Sequence, residues 1–208
     1  MAKIVFYFDC ASVFSYIGFE FMEKYRELWN IEVDYRPFFL QTVMDEAQNT
    51  FSPNKLPFLF ADVKRTANIT GIPFKGMPPK YPYDPTIALC TLQYLKAKGG
   101  MEEAMRRLWQ MEYVGRRAPA DADAVKEALR DMADAVDQAI ISPELLEAVQ
   151  ENTKRVVELR GFGAPTILVY RDNDKPQMFF GSDRFEHIAV YLSKEFLPMK
   201  QLFANSKL

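Results

Sequence analysis

The pattern of apolar and polar positions opens and closes on β-type runs and is helical between them. Lys3 to Phe8 is an apolar run rich in β-formers. From Phe14 to Trp29 the positions Phe14, Ile17, Phe21, Tyr25 and Leu28 recur at helical spacing, and Ser12 stands where an N-cap is needed. Ile31 to Pro37 then alternates like a strand. Strand, helix and strand in this order make a βαβ unit, whose right-handed crossover predicts a parallel pair.

The middle of the chain reads as helices over 54–69, 85–98, 101–115, 122–136 and 143–159, punctuated by Gly71 and by Gly99-Gly100. Asp84-Pro85 and Ser142-Pro143 each set a capping residue ahead of a proline suited to a first turn. Between Ile72 and Asp84, Pro73, Pro78, Pro79 and Pro82 predict a stiff, irregular loop of the kind that lines clefts. The β pattern returns at Thr166–Tyr170, with Asp172-Asn173-Asp174 as a turn and Gln177–Phe180 as hairpin partner. A last helix is expected from near Asp183, with Phe185, Ile188, Ala189 and Leu192 on one face. The order predicts an α/β chain with a thioredoxin fold interrupted by an all-helical insertion. Its expected domains are 1–53 with 160–208, thioredoxin-like, and 54–159, the inserted helices.

Composition narrows the chemistry. Hydrophobic residues make up 49 % of the 208 positions, enough for a substantial core. A net charge of −2, with both signs mixed along the chain, gives no footprint for nucleic acid. One histidine, His187, and two cysteines, Cys10 and Cys90, are too few for a Cys/His zinc site, so no metal is expected. A Ser-His-Asp triad would need His187, which falls on a surface helix without a nucleophile motif. Cysteines so far apart make no disulfide framework, and a reducing compartment follows. The amino-terminal apolar run is too short for a signal peptide, and no run reaches the roughly eighteen apolar residues of a membrane span. The chain ends in Ser206-Lys207-Leu208, the tripeptide read by the peroxisomal import receptor, so peroxisomal localisation is expected, with mitochondrial or cytosolic placement as alternatives.

In a parallel βαβ unit, ligands bind beyond the carboxyl ends of the strands, where helix N-termini point. Here that place is Asp9 to Ser15, and a hydroxyl among free backbone amides there suits an anion such as a thiolate. The run Phe8-Asp9-Cys10-Ala11-Ser12-Val13-Phe14-Ser15-Tyr16-Ile17-Gly18-Phe19-Glu20 resembles the opening segment of kappa-class glutathione transferases. Gly161-Phe162-Gly163-Ala164-Pro165-Thr166 is similar to the family's cis-proline segment, and Phe180-Gly181-Ser182-Asp183-Arg184-Phe185-Glu186 to its Gly-Ser-Asp-Arg stretch. The likeness runs over nearly the whole chain and extends to 2-hydroxychromene-2-carboxylate isomerases and bacterial disulfide oxidoreductases with the same insertion.

The resemblance implies a glutathione transferase of detoxification, with glutathione as cosubstrate, small hydrophobic electrophiles as partners and a homodimeric assembly. It makes Ser12 the catalytic hydroxyl and adds Phe14, Asn49, Lys55, Ala164, Pro165, Ser182, Asp183 and Arg184 as glutathione contacts. On the residues alone Ser12 is a helix cap, Lys55 a surface lysine and Pro165 a strand-start proline, while Ser182, Asp183 and Arg184 cap the last helix. The chain departs from the family pattern at Val13, where the family has proline, and at Phe14, where it has tyrosine. Cys10 lies two residues before Ser12, off redox-pair spacing, and reads with Cys90 as a small core residue. Phe14, Phe74, Tyr81, Tyr83 and Trp109 are candidates for an aromatic wall. Besides conjugation, glutathione-dependent peroxide reduction is expected to accompany an activated thiolate. The alternatives are a glutathione-dependent isomerase and a non-catalytic thioredoxin-like binding module.

Overall fold

The computed structural model describes residues 2–50, 52–171 and 175–204, so the Asp172-Asn173-Asp174 turn and the Ser206-Lys207-Leu208 tripeptide lie outside the described residues. The chain runs β1 (Lys3–Phe8), α1 (Val13–Trp29), β2 (Glu32–Pro37) and α2 (Leu40–Glu46). Then come α3 (Lys55–Thr70), α4 (Thr86–Lys98), α5 (Met101–Trp109), α6 (Ala122–Leu129), α7 (Asp134–Ile141) and α8 (Pro143–Glu158). It closes with β3 (Thr166–Tyr170), β4 (Gln177–Phe180), α9 (Phe185–Leu192) and α10 (Met199–Leu202). The four strands form one sheet in the order β2-β1-β3-β4. β1 pairs parallel with β2, as the βαβ reading requires, and antiparallel with β3, which pairs antiparallel with β4. This is the thioredoxin arrangement with helices inserted between β2 and β3.

Strand alternation sorts the core onto two faces. Ile4, Phe6, Phe8, Ile167 and Val169 point to α1 and the inserted helices, while Val5, Tyr7 and Leu168 point to Val43 of α2 and Val156 of α8. Both faces being covered explains why β1 has no exposed apolar position after Lys3. Burial of α1 goes beyond the stripe read from its sequence: Tyr16, Phe19, Met22 and Trp29 are buried as well, and Leu28 is exposed instead. The helix is enclosed because its outer side carries the C-terminal segment. Tyr25 Oη donates to Leu197 O at 2.7 Å, Trp29 Nε1 donates to Glu195 O at 2.7 Å, and Phe21 packs edge-on against Phe203 at 5.0 Å.

Several boundaries differ from the sequence reading. The helix expected over 122–136 is broken: a single 3-10 turn (Arg130–Met132) joins α6 to α7, because Arg130 takes a left-handed φ of 51°. The helix expected over 101–115 widens after Trp109 into a π-helical turn, Gln110–Val114. Ser142 precedes α8 but makes no side-chain cap, whereas Asp84 Oδ1 does accept the Thr86 amide at 2.9 Å. The helix expected from near Asp183, α9, begins at Phe185, because Gly181, Ser182 and Asp183 are used in a turn. The short α2 and α10 were not expected.

α1 buries two acids, Glu20 and Glu23, and Arg106 of α5 reaches both. Arg106 Nε donates to Glu20 Oε1 at 3.2 Å, and its guanidinium lies 4.8 Å over the Phe19 ring. Burial holds the Glu20 carboxyl above its ordinary range although Arg106 opposes it. Removing Arg106 therefore leaves a buried acid without its counter-charge. Arg106→Met is expected to lower the unfolding free energy by about 3 kcal/mol in urea titrations, and adding Glu20→Gln to recover part of that loss.

Candidate active site

The site starts where β1 ends. Asp9 is buried, and its carboxylate accepts two backbone amides, Ala11 N–H at 2.9 Å and Leu40 N–H at 2.8 Å. Its carbonyl accepts Ser12 N–H at 3.1 Å. One side chain thus ties the turn after β1 to the start of α2. Ser12 is the N-cap of α1, its Oγ accepting Ser15 N–H at 3.1 Å. Ser15 itself is buried, with its Oγ turned back to Asp9 N–H at 3.4 Å. Among the described residues, Ser12 donates its hydroxyl proton to no group, and the first-turn amides of Val13 and Phe14 have no acceptor.

These groups face a cavity of about 390 Å³. Its polar lining includes Ser12, Asn49, Lys55, Ser182 and Asp183 with the Ala164 backbone; its apolar lining includes Ile17, Phe21, Leu56, Leu59, Phe60, Met77 and Met199. Phe14, Leu40, Met44 and Tyr81 line it too. Asn49, positioned after α2 by its N–H bond to Met44 O at 2.9 Å, donates from Nδ2 to Phe162 O at 2.7 Å. Lys55 Nζ reaches Asn49 Oδ1 at 3.5 Å. Neither the N–H nor the C=O of Ala164 is hydrogen-bonded among the described residues, so both are available beside the cavity.

The Ala164–Pro165 bond is cis. Pro165 does not line the cavity; its ring lies behind, where a Cβ on Gly18 would come within 3.0 Å of it and 3.5 Å of Ser182 Cβ. Gly18 thereby lets α1 approach the Ala164 and Ser182 segments. Gly181, at φ +100°, turns the chain so that Asp183 Oδ1 would sit 2.7 Å from any Cβ placed there. Asp183 faces the cavity and pairs with Arg184 at 3.1 Å, while Arg184 lies outside the lining. Of the proposed aromatic wall only Phe14 and Tyr81 reach the cavity. Trp109 is core, donating from Nε1 to Cys10 O at 2.9 Å; Tyr83 donates to Glu112 at 2.8 Å and Phe74 packs on Tyr113.

The titratable groups are set by burial. Burial first, then Asp9 and Glu112, pushes the Cys10 thiol well above its usual value. Burial pushes the Cys90 thiol up to about 11, with Asp84 adding to the rise. Both thiols stay protonated near neutrality and are poor nucleophiles. The Asp9 carboxyl is raised to about 6 by burial, against the lowering effect of the Leu40 and Ala11 amides. Within the described residues no cluster of His, Cys, Asp and Glu is placed to hold a metal ion, and no helix is long and apolar enough to cross a membrane.

The sequence reading missed α2, although Leu40, Val43 and Met44 stand at helical spacing and were a usable signal. It also missed the bridging role of Asp9 and the cavity contact of Met199. The former depends on where Leu40 comes to lie, and the latter on how the C-terminal segment packs.

Two outcomes follow. Gly18→Val is expected to push Pro165 and Ser182 from α1 and to cost about 1–3 kcal/mol of stability, read by thermal unfolding. For Asp9, the native state holds a proton that the unfolded chain releases between pH about 4 and about 6. Its stabilisation is therefore full below that window and declines as the pH rises through it. The stability margin of the parent chain over Asp9→Asn should shrink by up to about 3 kcal/mol across the window in urea titrations at stepped pH.

Comparison with known proteins places this geometry. A family model described as the DSBA-like thioredoxin domain matches residues 3–193. Glutathione S-transferase kappa 1 of Caenorhabditis elegans is 33 % identical over 226 residues, covering 100 % of this chain and 99 % of that protein. Glutathione S-transferase kappa 1 of Rattus norvegicus is 25 % identical, covering 97 % of this chain and 96 % of that protein. Among solved structures, a 2-hydroxychromene-2-carboxylate isomerase superposes with a TM-score of 0.75 at 23 % identity, covering 92 % of this chain and 94 % of that one. The cytosolic disulfide reductase DsbM of Pseudomonas aeruginosa with GSH superposes with a TM-score of 0.62 at 18 % identity, covering 92 % and 97 %.

Proposed function

Because the chain belongs to the glutathione S-transferase kappa family, built on a DSBA-like thioredoxin domain, we propose that it activates bound glutathione through the Ser12 hydroxyl for attack on small hydrophobic electrophiles. The observation that carries this reading is the Ser12 hydroxyl itself. Its oxygen accepts Ser15 N–H while its proton has no acceptor among the described residues, so that proton is free to donate into the cavity, beside the open amides of Val13 and Phe14. That arrangement favours a sulfur anion over a thiol. Ionising a thiol of pKa about 8.5 near neutrality takes roughly 2–3 kcal/mol. A hydrogen bond to a charged acceptor supplies about 1.5–3 kcal/mol, and the helix N-terminus about 0.3–1 more. No general base is needed.

The charges along the cavity suit a zwitterionic tripeptide. Asp183 takes the γ-glutamyl ammonium, Lys55 a carboxylate, Ser182 with nearby amides the other carboxylate, and the free N–H and C=O of Ala164 the cysteinyl backbone. Asn49 braces Lys55 and the Phe162 carbonyl, Arg184 steadies Asp183 and Pro165 shapes the Ala164 segment, while the Phe14 ring lies against the ligand. The apolar lining receives the electrophile, and the same thiolate can attack a peroxide oxygen. A dithiol–disulfide cycle is disfavoured, because Ser12 and Ser15 occupy the redox-pair spacing and Cys10 is buried and protonated.

We extend the reading to detoxification in the peroxisome, with Ser206-Lys207-Leu208 engaging the import receptor, and to a homodimer, which would cover the exposed Leu56, Phe58 and Ile69 of α3. Residues 1–53 with 160–208 serve as the thioredoxin-like domain and 54–159 as the inserted helical domain. Ser12→Ala is expected to keep glutathione binding within a few-fold and to raise the pKa of the bound thiol by about 1–2 units. Thiolate absorbance against pH measures this, and a titration that matches the parent chain would count against the reading.

A further inference from the structure

The loop from Ile72 to Asp84 contributes two residues to the cavity, Met77 and Tyr81, and Tyr81 is the single phenol among the lining side chains. Its hydroxyl donates to the carbonyl of Ala11 at 3.2 Å, one residue before Ser12. The phenol therefore stands at the end of α1 where the sulfur is expected, while 38 % of the residue remains open to an incoming molecule. The bond to Ala11 is long and the carbonyl only part-buried, so a better acceptor can displace it.

This hydroxyl is placed by a scaffold rather than by chance. Lys75 N–H donates to Tyr113 O at 2.8 Å, Arg116 Nε to Met77 O at 3.2 Å and Tyr16 Oη to Pro73 O at 3.3 Å. The neighbouring ring of Tyr83 packs edge-on to Tyr81 at 6.3 Å and donates its hydroxyl to Glu112 Oε2 at 2.8 Å. Glu112 and Tyr113 both belong to the π-helical turn, and both are fully buried. Burial of the Tyr81 hydroxyl, then the nearby Asp9 and Glu112, hold the phenol protonated. It can donate and cannot act as a base.

We propose that Tyr81 is a further catalytic residue, donating a hydrogen bond to the oxygen that becomes negative when the thiolate adds to an α,β-unsaturated carbonyl compound, and that conjugated carbonyls are a favoured electrophile class. This rests on the reading of the Ser12 cavity as the glutathione site. In the addition, the sulfur lone pair forms a C–S bond at the β-carbon. The C=C π bond breaks, its electrons pass to the carbonyl oxygen as an enolate, and Tyr81 O–H supports that oxygen. The α-carbon then takes a proton from solvent and the carbonyl is restored. A donor to developing charge in a site shielded from water is worth more than one in solvent.

The test compares Tyr81→Phe with the parent chain on two acceptors: a conjugated enone, and a benzyl halide, in which the C–S bond forms as halide leaves and no oxygen gains charge. The ratio of kcat/KM for enone over halide is expected to fall about tenfold in Tyr81→Phe, with the fold checked by circular dichroism. A parallel fall on both acceptors, or an unchanged ratio, overturns the proposal. Titrating the bound thiol in the same variant separates the two readings. A raised thiol pKa in Tyr81→Phe would mean that the phenol serves the sulfur and not the acceptor, and would overturn the proposal while leaving the Ser12 site standing. Absence of a low-pKa thiolate in the parent chain would instead overturn the Ser12 reading beneath it.

Discussion

A serine oxygen that caps a helix points one lone pair at the backbone, and its proton is free to point away from the helix. At Ser12 the 3.1 Å bond from Ser15 N–H makes that division, and the surrounding turn keeps it. Asp9 grips the turn from below through Ala11 and Leu40, and Ser15 closes it by accepting the Asp9 amide. None of these groups needs to be charged for the hydroxyl to be aimed. A site organised this way stabilises an anion by dipoles already in place, which is the least costly manner of doing so in a partly dry cavity.

α1 carries the rest of the architecture. Its first turn is the site, its small residue Gly18 admits the Pro165 and Ser182 segments, and its far end anchors the C-terminal stretch through Tyr25 and Trp29. That stretch brings Met199 back to the cavity. One helix thus borders the cavity together with the segments after β2 and around β4, α3 and α10. Glu20 of the same helix is met by Arg106 of α5, which shows how far α1 is enclosed.

The buried acids beneath the site, Asp9 and Glu112, have opposite uses. Asp9 is satisfied by backbone amides and fixes the turn, whereas Glu112 Oε1 has no partner among the described residues and Oε2 receives Tyr83. Together with burial they keep the Cys10 thiol protonated. The protein's own sulfur is silenced in the place where a ligand's sulfur would be activated. The difference lies in depth, not in distance along the chain.

The local pattern of the sequence was enough for β1, α1, β2, the β3–β4 hairpin strands and most inserted helices, because period and capping act over a few residues. The Ser12 cap and the apolar face of α9 were legible for the same reason. Breaks that depend on a neighbour were not: Arg130 leaves the helix, and the π-helical turn at Gln110–Val114 forms where the proline-rich loop docks. Nor could spacing tell that Trp109 would be core while Tyr81 reached the cavity, since both are aromatic and only packing separates them. The sequence by itself determined that a capped helix follows a buried strand and that strands flank a helical middle. The tertiary structure alone decided that Asn49, Lys55, Ala164, Ser182 and Asp183, far apart along the chain, would share one cavity with Ser12, because their meeting depends on sheet register and on how closely Gly18 lets the elements approach.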